Sequence, residues 1–253
     1  MPYTPAVLRS VALLFTLTLC PAASPAQQDS NRLHQNPSYQ KGIAALADHL
    51  PDLAVAPLEA ALGELADDAV AQAALRIKLG EALVRAGRLE KDARAASGRG
   101  TTALQYLAEI IDSGDEHALF WSAQAHILRA DLRQAAALFG RLKQAANAEL
   151  RHRSLLSLAH ILVALGEPTE AETLLQSAFP TPGQIPLSQE ARLLHVSILL
   201  GQNKLSEASA LLETGVEPSD RQQQIHILYL RAQLARRDDS KKAIPLYRDI
   251  VED

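Results

Sequence analysis

Residues 154–178 read SLLSLAHILVALGEPTEAETLLQSA. Apolar side chains stand at Leu155, Leu158, Ala159, Leu162 and Leu165, the spacing that lines one face of an α-helix. Gly166 closes the run, and a second short helix is expected to carry Ala171, Leu175 and Ala178 on its inner side. Two short helices joined by a tight turn form a helical hairpin. Leu75, Leu79, Ala82, Leu83 and Ala86, followed by Gly87, have the same form, and the polar run Arg236-Arg237-Asp238-Asp239-Ser240 marks another stop.

The hairpin recurs. Ala54, Ala135, Ala171, Ala208 and Ala243 each fall a few residues into the second helix of a pair, and from Ala135 onward they lie 36, 37 and 35 residues apart. The gap from Ala54 to Ala135 leaves room for one more pair, which Leu79 to Ala96 supplies, so six pairs fill residues 37–253. Composition agrees. Alanine and leucine dominate, aromatics are 4% of residues, and β-branched runs of strand length are missing, so an all-α fold is expected.

These residues resemble the tetratricopeptide repeat (TPR) family. Its unit has a small residue in the first helix, a bulky one three later and an alanine twelve after the small one; a further bulky and a further small residue follow. Ala159, Leu162, Ala171, Leu175 and Ala178 match throughout, and Gly42, Ala45, Ala54, Leu58 and Ala61 match apart from the small Ala45. The third and fifth units match through Ala123, Ala135 and Phe139, and through Leu199, Ala208 and Leu212. The sixth has Leu234, Ala243 and Tyr247, with Arg231 in the small position. In the second, Leu79-Gly80, Leu83 and Gly87 fit, but Asp92 occupies the alanine position; the unit is either distorted or shifted by one residue to Ala93. The resemblance implies a right-handed α-solenoid of about six TPR-like units whose first helices line a concave groove. Groove-facing residues would then be Phe120, Gln124 and Ile127, then Arg153, Leu156, His160 and Val163, then Leu193, Ser197 and Leu200. That lining is largely apolar, which predicts an apolar or amphipathic segment of another protein as ligand. The asparagine and lysine set with which some members clamp a terminal carboxylate is missing, since His160, Ser197 and Ala232 stand where the asparagine would be.

Two segments are expected to interrupt the stack. Ala95 to Thr102 reads as a loop before a new helix from Ala103 to Asp112. Phe179 to Pro186 holds three prolines and a glycine, a longer connection or a break near 179–187, with helix resuming at Ser188.

Met1 to Ala26 has the form of a secretory signal, with Arg9, an apolar run from Val11 to Leu19 and small residues at Ser24 and Ala26. Leu19 before Cys20 argues against a lipidated start, so cleavage before Gln27 is expected, followed by a polar, disordered segment to Asn36. Residues 27–253 contain no cysteine and no apolar stretch long enough to cross a bilayer. Export across the inner membrane to the periplasm or envelope is the expectation. The chain stops at Asp253 directly after a second helix, without the polar cap a solenoid end needs, which predicts a fragment of a longer protein.

Chemistry is sparse. The pairs His152/His160 and His117/His126 lack the four-residue spacing that holds zinc on one helix. Ser97-Gly98-Arg99-Gly100 lacks the lysine of a phosphate loop, and no serine sits in a nucleophile elbow. Asp112, Asp115 and Glu116 read as a solvated helix end. The formal charge of −4 with interspersed signs gives no footprint for nucleic acid. The expectation is a scaffold of the cell envelope with no cofactor, no metal and no catalysis, whose partner is another envelope or exported protein. The alternative is an accessory repeat domain of a larger envelope enzyme or secretion machine.

Overall fold

The computed structural model describes residues 32–178, 186–213, 220–238 and 240–252. These form twelve long α-helices, with no strand among the described residues. They pair as α1 (Pro37–Ala47) with α2 (Pro51–Glu64), α3 (Ala69–Leu89) with α4 (Ala93–Ile111), and α5 (Glu116–Leu128) with α6 (Leu132–Arg141). Then come α7 (Ala148–Ala164) with α8 (Pro168–Ala178), α9 (Pro186–Gly201) with α10 (Leu205–Glu213), and α11 (Arg221–Asp238) with α12 (Ser240–Glu252). The expected all-α stack of six pairs is the fold. The signal at Met1 to Ala26 lies outside the described residues, as do residues 179–185 of the connection expected at Phe179 to Pro186; Pro186 itself opens α9, two residues before the expected Ser188. Of the segment expected to be disordered, residues 32–35 form a helical turn that buries Leu33, and Asn36 caps α1.

The sequence sets helix starts by capping. Side-chain oxygens of Asn36, Asp68, Asp115, Asn147 and Asp220 accept hydrogen bonds at 2.8–3.0 Å from backbone N–H groups three residues on, at the heads of α1, α3, α5, α7 and α11. Four of the turns within pairs share one geometry. Leu50, Asp131, Glu167 and Lys204 donate their N–H to the carbonyls of Ala45, His126, Leu162 and Leu199, five residues back, at 2.8–2.9 Å. The preceding residue has positive φ each time: His49, Ala130, Gly166 and Asn203. This is the Schellman ending, which satisfies orphan carbonyls by one left-handed residue.

The core runs along the stack. Ala54, Leu58, Leu75 and Leu79 join units one and two; Leu107, Phe120, Phe139 and Leu158 join units two to four. Ala171, Leu175 and Leu194 continue it, and Val196, Leu212 and Ile227 close units five and six. The repeat alanines Ala54, Ala135, Ala171 and Ala208 are fully buried, so the helices of each pair approach closely where the motif places a small side chain.

Unit two departs from the expectation in three ways. Gly87 does not end its helix, α3 runs to Leu89, and the segment read as a loop lies inside α4. Of the two alternatives, the shift to Ala93 fails, since Ala93 is exposed, and the unit is distorted: Asp92 is the N-cap of α4, accepting from Arg94 N–H at 3.0 Å. A carboxylate in the close-packed slot would lose its hydration unpaired, and the cap satisfies it instead. The buried small and bulky positions are Ala103, Leu107 and Ile110, the same spacing as Ala54, Leu58 and Ala61. A Cβ on Gly80 would lie 2.7–2.9 Å from three Leu107 carbons, as one on Gly42 would lie 2.5 Å from Leu58 Cγ. Gly80 and Ala103 are thus the pair that Gly42 and Ala54 form in unit one, with eleven more residues between them.

Helix survives the glycines at 98 and 100 for a tertiary reason. A Cβ at Gly100 would sit 2.8 Å from the Ala125 carbonyl oxygen, so only glycine lets α4 lie this close to α5. Thr101 and Thr102 return their hydroxyls to the carbonyls of Ser97 and Gly98 at 3.1 and 3.2 Å. Arg99 bridges Glu90 at 2.8 Å and Asp52 of unit one at 2.6 Å. Glu116 is also more than a solvated end: its carboxylate accepts the N–H groups of Ala146 and Asn147 at 2.6 and 3.2 Å, fixing the connection into α7.

A candidate binding groove

First helices contact first helices along the stack, α3 with α5, α5 with α7, α7 with α9 and α9 with α11. Across α7, α9 and α11 this face is hollowed into a cavity of about 620 Å³. His160 and Val163 come from α7, Leu193 and Ser197 from α9, and Gln222 and His226 from α11, with Glu190 and Leu194 completing the α9 side. Leu193 and Leu194 are buried and form the apolar floor, whereas Val163 stands 37% exposed. The Ser197 hydroxyl donates to the Leu194 carbonyl at 2.7 Å, folding its polar atom onto its own helix. Burial, then the proximity of His226, pushes the His160 pKa below the ordinary imidazole value. Protonation is therefore less favourable there than in the unfolded chain, and stability falls as pH drops through the usual histidine range of about 6.5.

Four of the ten residues expected to face the groove meet in this cavity: His160, Val163, Leu193 and Ser197. The others do not. Phe120 is 1% exposed, packed edge-to-face against Trp121 and Phe139 at 5.1 and 5.8 Å, so it belongs to the core. Leu156 and Leu200 are buried between helices, and Ile127 is half-buried against the central core. Bulky side chains facing the next first helix are consumed by stacking, and helical spacing alone cannot separate that from groove lining. Gln124 is 4% exposed, and its carboxamide bridges two neighbouring helices, accepting from Arg88 of α3 and donating to Ser157 Oγ of α7 at 3.4 Å. Arg153 is exposed, its guanidinium 5.1 Å above the Phe120 ring.

Arg88 is a residue the sequence did not single out. Burial, then the charges of Arg153 and Arg85, lowers its pKa from the ordinary arginine value. Arg85 is ion-paired with Glu81 at 3.1 Å, but among the described residues neither Arg88 nor Arg153 pairs with a carboxylate. Nor do three His, Cys, Asp or Glu side chains gather among the described residues to hold a metal ion. No described helix is long and apolar enough to cross a membrane.

Six successive helix pairs among the described residues, close-packed at recurrent alanines, give the chain the fold of a TPR-like α-solenoid, hollowed across α7, α9 and α11. The fold is similar to that of the structure solved in the functional characterization of Pseudomonas aeruginosa pilF, with a TM-score of 0.61 and 15% identity over 87% of this chain and 90% of that one. Two TPR proteins are less similar. YrrB, described as having an unusual peptide-binding site, gives 0.48 at 20% identity over 77% of this chain and 91% of its own. A thermophilic TPR protein of Thermus thermophilus, TTC0263, gives 0.49 at 20% identity over 82% and 97%. No protein-family model and no curated protein matches the sequence.

Proposed function

We propose that the chain is a non-catalytic protein-interaction scaffold that holds an apolar or amphipathic segment of another protein along its first helices. The cavity of α7, α9 and α11 carries this reading, because its apolar floor and polar rim suit one face of an amphipathic segment. The secretion-like sequence of Met1 to Ala26 supports a partner in the cell envelope, itself an envelope or exported protein.

Val163→Glu tests the reading, since Val163 lines the cavity and is 37% exposed. In affinity capture from envelope extract, the parent should retain a protein that the variant loses while keeping its circular dichroism and melting temperature. Equal retention by both overturns the groove as the binding site. Leu156→Glu is unsuited to this purpose, because Leu156 is buried and a glutamate there reports stability.

A further inference from the structure

The upstream end of the same face carries two guanidinium groups, each held by a neutral partner: Arg88 by Gln124 and Arg153 by the Phe120 ring. We propose that Arg88 and Arg153, with Gln124 and Ser157 between them, receive an aspartate or glutamate side chain of the bound segment and so fix the direction in which it lies. The proposal rests on the groove reading above and adds to it the chemistry of one anchor.

Gln124 is the hub of this basic site. Its side chain is buried and orients Arg88 through the amide oxygen, while its amide nitrogen reaches Ser157. A glutamate in its place would cancel the arginine's charge, whereas the carboxamide positions the guanidinium and leaves the charge whole. Arg153 is held by the face of Phe120, a contact that also leaves its charge whole. The charge of Arg153 disfavours that of Arg88, and a ligand carboxylate would relieve that repulsion while accepting forked N–H donors from guanidinium. Ser157 and His160 are three residues apart on α7, so the basic site and the cavity lie on one helix face. A segment with an acidic residue beside an apolar stretch would satisfy both.

The test is selection of random dodecapeptides displayed on phage through their C-termini, so that every carboxylate offered is a side chain. On the parent, enriched peptides should carry Asp or Glu to one side of an apolar cluster. On an Arg88→Gln, Arg153→Gln variant the apolar cluster should persist and the acidic preference vanish; the Arg88→Lys, Arg153→Lys variant should keep most of it. A selected peptide should bind the parent about tenfold more tightly than its amide analogue, as a charge-assisted hydrogen bond implies. Apolar peptides without an acidic preference would overturn the anchor and leave the groove standing; no enriched peptides at all would overturn both. A ligand-free check is Gln124→Glu, which supplies the carboxylate from within: it should raise the melting temperature and erase the acidic preference. A lowered melting temperature overturns the claim that the pair lacks an anion.

Discussion

Units two and four are built from the same motif and solve it differently. In unit four the small residue of the first helix, Ala159, is followed seven residues later by the left-handed Gly166 and twelve later by the buried Ala171. In unit two Gly87 occupies the turn position and Asp92 the alanine position, yet the chain stays helical to Leu89 and delivers its small residue at Ala103. The eleven extra residues divide as four at the end of α3 and seven at the start of α4, about one and two helical turns. Both arms therefore lengthen without rotating their packing faces. One unfavourable side chain in a close-packed slot is enough to move a turn, provided a later set of residues repeats the packing code. Here that set is Ala103, Leu107 and Ile110.

The largest effect that could break this equivalence comes from Leu107→Ala. If Leu107 is the counterpart of Leu58, each fully buried, both truncations should cost about 3 kcal/mol in urea unfolding. A cost below about 1 kcal/mol for Leu107→Ala alone, far under the usual range for a core leucine, would show that the shifted register is wrong. Next come two glycines of α4 with opposite expectations. Gly100→Ala forces a methyl to 2.8 Å from the Ala125 carbonyl and should destabilise by about 1–3 kcal/mol. Gly98→Ala meets no neighbouring atom within 4 Å and should stabilise by about 0.5–1 kcal/mol through helix propensity. Equal signs would mean that α4 does not lie against α5 as described. The smallest effect sharpens the regular side of the comparison. Ala130 holds φ 60° in the turn where unit four has glycine, so Ala130→Gly should raise stability by about 1 kcal/mol, read from the chemical-denaturation midpoint.

These differences explain what could be read from the sequence. The pair count was legible because Ala135, Ala171, Ala208 and Ala243 sit at nearly constant spacing and all prove buried. Unit two misled because Ser97-Gly98-Arg99-Gly100 has the composition of a loop, and the reason it is helical, the Ala125 carbonyl against Gly100, lies in another hairpin. A signal was present in the spacing of Ala103, Leu107 and Ile110. In the groove, His160, Val163, Leu193 and Ser197 were legible from their places on the first helices, while Phe120 and Leu200 were not separable from core leucine-like positions. His226 and Gln222 were missed because the sixth unit is recognised through Leu234, Ala243 and Tyr247, which say nothing about the first turns of α11. Arg88 was hidden by the same shifted turn.

His160 belongs to unit four and His226 to unit six, yet both border one cavity. Repeat stacks ordinarily transmit stability only from each unit to the next, and their ends can fray one unit at a time. An occupant touching both histidines would act as a clasp over the intervening unit, whose Leu193 and Ser197 line the same cavity. It would make the last three units melt together, so that binding would be visible in the steepness of the transition as well as in its midpoint.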